Sequence, residues 1–163
     1  YQLTILYRNK GLKKMPSAKA KKVTITLKSI SDSGHGAPDV MELITEGTFK
    51  PIKLGNADGW EISYEDSEAT GFAGSTTTVT CIGNELASMR RSGSADSHLV
   101  IEKDRRHHCH YGTEYGDMLL GISASRIINR LSEEGGVLYF KYTIDINSAF
   151  VSENEIYFEV SFD

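Results

Sequence analysis

The sequence predicts an all-β protein, folded as a single closed antiparallel up-and-down β-barrel of about eight to ten strands. Three observations predict it. Side chains alternate apolar and polar with period two from Val23 onward, turn-forming clusters interrupt that alternation at short intervals, and almost no segment carries helical spacing. An open sheet of that many strands would expose two long edges, and curling it shut removes them.

The elements follow from the breaks, which are "SGHGAPD" at 33–39, "GNADG" at 55–59, "GN" at 83–84, "RSGSAD" at 91–96, "EKDRR" at 102–106 and "EEGG" at 133–136. They bound ten runs, at 22–30, 41–51, 59–65, 74–82, 85–91, 97–103, 105–113, 116–128, 136–147 and 154–162. The first, "KVTITLKS", sets Val23, Ile25 and Leu27 against Thr24, Thr26 and Lys28, one face for the core and one for water. "STTTVTCI" is rich in β-branched residues, and "SHLVIEK" is a short strand-like run. "VLYFKYTIDI" alternates most clearly, with Leu138, Phe140, Tyr142, Ile144 and Ile146 on one side, and "NEIYFEVSFD" repeats the pattern with Ile156, Phe158 and Val160. Only 123–133, "SASRIINRLSE", competes as a helix, through the spacing of Ile127, Ile128 and Leu131. Leu120, Ile122 and Ala124 alternate straight into it, so the expectation is a long strand with a helical turn near its end. Short spacers between the runs suit hairpins and hence antiparallel neighbours.

At 163 residues and 18.0 kDa the chain fits one domain with its own core, needing neither disulfides nor metal as staples. Cys81 and Cys109 are too few for a disulfide framework and are expected as free thiols in a reducing, cytoplasmic compartment. No apolar run approaches the roughly 18 residues that span a bilayer, and no signal-peptide pattern opens the chain. The net charge of −4 is unevenly placed. Residues 1–22 carry Arg8, Lys10, Lys13, Lys14, Lys19, Lys21 and Lys22 with no acid, which leaves 11 bases against 22 acids, a net of −11, in the rest. A body that acidic repels phosphate backbones and argues against nucleic acid as its partner. Residues 1–21 are expected as a disordered basic arm and 22–163 as the barrel, with Met15 the candidate natural start and 1–14 upstream or cloning-derived sequence.

Five pieces in a fixed order carry a resemblance: Tyr64-Glu65, Gly71 before the threonine-rich strand, Arg91-Ser92-Gly93, the Tyr111–Gly116 run "YGTEYG", and Gly135-Gly136 ahead of the Tyr142 strand. Together, over Val23 to Phe162, they resemble the bacterial DUF1934, or YwiB-like, family of uncharacterised proteins. The resemblance implies a calycin-like barrel related in shape to lipocalins, with no established reaction. Where the family usually has Thr-Pro-Tyr-Gly, this chain has Thr113-Glu114-Tyr115-Gly116, and the histidine cluster at 107–110 is not a family feature.

That cluster, "HHCH", is the densest chemistry in the chain. On a strand, His108 and His110 share one face and form the candidate metal pair, while His107 and Cys109 point the other way. Zinc takes about four ligands, so His98, His35, Cys81 or a carboxylate would have to complete the set. The alternative is a polar strand with a buried free cysteine. Catalytic arrangements are poor: no Gly-x-Ser-x-Gly elbow, no phosphate-binding glycine loop, and a Cys109 whose neighbours His108 and His110 face away from it. Tyr64, Glu65, Arg91, Tyr111, Tyr115 and Tyr142, all at the motif positions, form the candidate ligand set, with Arg91 pairing a ligand carboxylate or Glu65; the alternative is that these residues merely close the barrel. The leading expectation is therefore a binding module for a small molecule, with no cofactor and no catalysis, its ligand in the barrel mouth near Tyr64, Arg91, Tyr115 and Tyr142. A protein-interaction barrel working through its outer face, with a homodimer as one of its forms, comes second and is selected if the interior is packed solid. A metal-dependent enzyme at His107–His110 comes third.

Overall fold

The computed structural model describes residues 19–113 and 115–163. The expectations for residues 1–18 lie outside them. Ten strands run in chain order: β1 (Lys21–Asp32), β2 (Asp39–Leu54), β3 (Ala57–Glu65), β4 (Ser75–Ile82), β5 (Leu86–Gly93), β6 (Ser97–Glu102), β7 (Arg106–Thr113), β8 (Gly116–Ser132), β9 (Gly135–Ile146) and β10 (Ala149–Ser161). Every strand pairs antiparallel with its sequence neighbours, and β1 meets β10 to shut the barrel. Among the described residues there is no helix, and so none long and apolar enough to cross a membrane.

The alternation read from the sequence decides which side chains line the bore. On β1, Val23, Ile25 and Leu27 are buried; on β9 and β10, Leu138, Phe140, Tyr142, Ile156, Phe158 and Val160 meet them. The aromatic rings form a continuous chain across the interior, Tyr64 to Phe158 at 6.3 Å, Phe158 to Phe140 at 6.1 Å and Phe140 to Tyr142 at 6.0 Å between centroids. Burying each phenylalanine contributes about 1.5–3 kcal/mol. Ile25, Val79, Ile101, Ile122, Leu138, Phe140 and Phe158 are all 0% exposed. A side chain at zero exposure has no space for even one water against it, so this stretch of the bore is filled. Hydroxyl pairs add support between strands, Thr80 with Ser88 at 2.6 Å and Ser63 with Thr78 at 3.4 Å, each directly opposed in register.

Two departures from the sequence-based expectation have clear causes. The 123–133 segment has no helical turn: β8 runs unbroken to Ser132, and a bulge between Ala124 and Arg126 inserts one extra residue. That shifts the inward parity from Leu120, Ile122 and Ala124 to Ile127, and an inward step of three residues imitates a helix's spacing. β10 also begins at Ala149, earlier than expected, because Asn147 and Ser148 both take positive φ (52° and 67°) and make a two-residue turn of the primed type.

The wall is uneven in two places. β6 and β7 share only the pairs Ser97↔Tyr111 and His98↔His110. Past them the Val100 N–H donates to the Cys109 thiol at 3.3 Å, and Lys103 bridges to Ala124 of β8. Leu99, Val100, Ile101 and Glu102 are consecutively buried, so β6 is covered on both faces. The second place is β2. From Gly47 onward it pairs with β3, but Asp39–Glu46 pair with β1 alone, and their other edge carries no strand among the described residues.

Candidate functional site

One row of the ladder gathers most of the polar lining. Gly47 lies opposite Tyr64, Tyr64 opposite Thr77, Thr77 opposite Arg91, Arg91 opposite Ser97, and Ser97 opposite Tyr111. Tyr142 reaches the same region from β9, near enough to feel both Tyr111 and Arg91 electrostatically. Four of the six candidate ligand residues, Tyr64, Arg91, Tyr111 and Tyr142, therefore converge at one end of the interior. The other two do not join them. Glu65 follows Tyr64 on the strand, so it points outward and is exposed, and Tyr115 projects from the β7–β8 turn at 93% exposure.

Arg91 pairs with Asp66 and not with Glu65. Its Nε donates to Asp66 Oδ2 at 3.3 Å and to Thr77 Oγ1 at 3.2 Å, and its Nη2 to Asp66 Oδ1 at 3.5 Å. The Asp66 side chain is 0% exposed. Three hydroxyls also donate to it, Thr77 at 2.7 Å, Thr70 at 2.9 Å and Ser75 at 3.1 Å. A buried carboxylate survives only with such partners. The arrangement is local in origin: the Asp66 N–H donates to the Ser75 carbonyl at 2.9 Å, and Gly71 and Gly74 at positive φ let the 66–74 loop fold back over the rim. Phe72 from that loop covers the Arg91 guanidinium, 3.7 Å from ring centroid to Cζ. Asp66 was legible in advance by parity alone. With Tyr64 inward, residue 66 is the next inward position and Glu65 cannot be.

Burial, and then the Asp66 charge, push the Tyr64 hydroxyl up to about 12, against smaller lowering by Arg91 and Thr77. Burial likewise raises the Tyr142 hydroxyl, helped by Tyr111. Both phenols are neutral hydrogen-bonding groups at physiological pH. Burial pushes the Cys81 thiol up to about 12, so it stays protonated at physiological pH.

Outside this end, the wall opens into a cleft of about 900 Å³ where β2 parts from β3. Ile44, Thr45, Glu46 and Gly47 form one side of it, Glu65, Asp66 and Ser67 the other, with Tyr64 at its floor.

At the histidine cluster, the alternation turns His107 and Cys109 inward and His108 and His110 outward. His107 Nε2 lies 3.1 Å from Glu102 Oε2, both buried. His108 sits beside the Arg106 guanidinium at 3.2 Å, and His110 pairs with Asp117 at 3.2 Å. The two candidate metal ligands thus have separate partners, one of them a cation. Among the described residues no three His, Cys, Asp or Glu side chains gather as metal ligands.

Fold and site together define a closed ten-stranded antiparallel barrel with a filled bore and a polar, carboxylate-latched rim. The chain matches the family described as "Domain of unknown function (DUF1934)" over residues 25–157, and it belongs to that family. Its fold is similar to that of the ywiB protein from Bacillus subtilis, a crystal structure with a TM-score of 0.65 and 18% sequence identity; the match covers 96% of this chain and 99% of that one. No curated protein matches the chain.

Proposed function

We propose that this barrel is a binding module that works through its outer wall, and that the partner is a protein. The observation that carries this reading is the filled stretch of the bore: among the described residues, seven inward side chains at 0% exposure leave no room for a ligand against them. Arg91, the strongest candidate for holding a ligand carboxylate, spends its Nε and Nη2 on Asp66 and Thr77 instead. What the molecule offers a partner is the cleft beside β2, with exposed Val40 and Ile44 on the same strand.

A small ligand at the rim is the second reading, supported by the row that sets Tyr64, Thr77, Arg91 and Tyr111 side by side. Native mass spectrometry of freshly purified chain separates the two. The expected spectrum carries no small-molecule adduct. An adduct that is present in the wild type and lost in Tyr64→Phe would overturn the interaction reading in favour of the rim site.

A further inference from the structure

We propose that the partner on this wall is a second copy of the chain, joined by antiparallel pairing of the two β2 edges that carry no strand among the described residues. The inference rests on the outer-wall reading above and names its occupant. Asp39–Glu46 are held in place by β1 on one side, and Met41 and Leu43 pack against the core, so the other edge, unpaired among the described residues, is a fixed template. Beyond Tyr64 the track that β3 would have continued along is open, because Asp66 is drawn away to Ser75, Thr77 and Arg91 and leaves the cleft in its place.

Charge selects the register. A symmetric antiparallel pair must centre on one residue of the edge. Centring on Glu42 places that carboxylate against its own copy, and centring on Ile44 places Glu42 against Glu46; both set like charges opposite each other. Centring on Leu43 sets Glu42 against Ile44 and Glu46 against Val40, with no two carboxylates opposed. It also gives the longest overlap free of β3, Val40 to Glu46. The remaining choices, Met41 and Thr45, shorten it. In the Leu43 register Ile44, now 73% exposed, lies diagonal to both Ile44 and Val40 of the second copy, and Val40, now 59% exposed, lies diagonal to that copy's Ile44, forming an apolar patch across the seam. Glu42 keeps its 3.3 Å contact with Lys28. A seven-residue edge buries less than the roughly 800 Å² per partner of a standard interface, so the dimer is reversible and depends on concentration.

Sedimentation equilibrium of the full chain from about 5 to 500 μM tests this. The wild type is expected to shift from monomer to dimer across that range. Ile44→Glu, which sets like charges across the seam at an exposed position, is expected to weaken the dimer at least about tenfold with an unchanged melting temperature. Adding Glu42→Lys to Ile44→Glu restores opposite charges and is expected to recover the dimer. A wild type that stays monomeric at 500 μM, or a dimer that Ile44→Glu leaves intact, overturns the inference. Neither result touches the outer-wall reading, which stands or falls on the adduct measurement above.

Discussion

Asp66 shows how a single side chain can be misassigned and why. Two acids, Glu65 and Asp66, follow Tyr64, and the motif positions favour Glu65 as the partner of Arg91. Strand parity settles the matter the other way, since the residue beside an inward tyrosine must face water. The outcome has an energetic signature. Arg91→Met keeps most of the side chain's bulk but leaves the Asp66 carboxylate buried with hydroxyl donors only, and is expected to destabilise the fold by roughly 3–5 kcal/mol in urea titration. A loss below about 1 kcal/mol would place Arg91 outside the latch. Arg91→Met with Asp66→Leu removes both charges, and should recover a good part of the loss.

The ten strands were legible because one face of nearly every run is wet and the other dry, as in "KVTITLKS" and "VLYFKYTIDI". The β8 bulge was not, because an inserted residue leaves composition unchanged and alters only parity. The β6–β7 junction was also hidden: "SHLVIE" reads as a short buried strand, and nothing in it tells that a thiol and a histidine replace part of its ladder. That junction is the weak point of the ring. With two register pairs in place of the eleven that join β8 to β9, the Val100–Glu102 amides are expected to exchange hydrogen faster than those of Leu138–Tyr142, measured by mass spectrometry on peptides. His107→Ala removes the buried partner of Glu102 and should accelerate exchange at β6 further, while leaving β9 as it was. Uniform protection across both strands would contradict this.

For the molecule as a whole, closure followed from the cost of exposed edges, and the ring of neighbours from the short connections. Whether the bore was open or filled depended on side-chain volumes meeting across the axis, which a pattern of apolar and polar letters does not encode. The filled bore also sets the alkaline limit. Tyr64, ordinarily near 10, is pushed up to about 12 in the fold, so above pH 10 the unfolded chain gives up a proton that the folded one retains. The stabilisation is complete below pH 10 and is lost as pH rises toward about 12. Tyrosinate absorbance near 295 nm is therefore expected to gain a cooperative step that coincides with loss of far-ultraviolet circular dichroism above pH 10. Smooth ionisation of all eight tyrosines near pH 10 with the fold intact would show that the interior is open to hydroxide.

The meeting of β1 with β10, Thr24 opposite Ser161, has a consequence for synthesis. Of the described strands, the first to leave the ribosome must wait for the last before its ladder is complete. Until then the edge of β1 that β10 will cover stays open, and a pairing this distant along the chain is expected to slow folding and to favour low local concentration while the chain is being made.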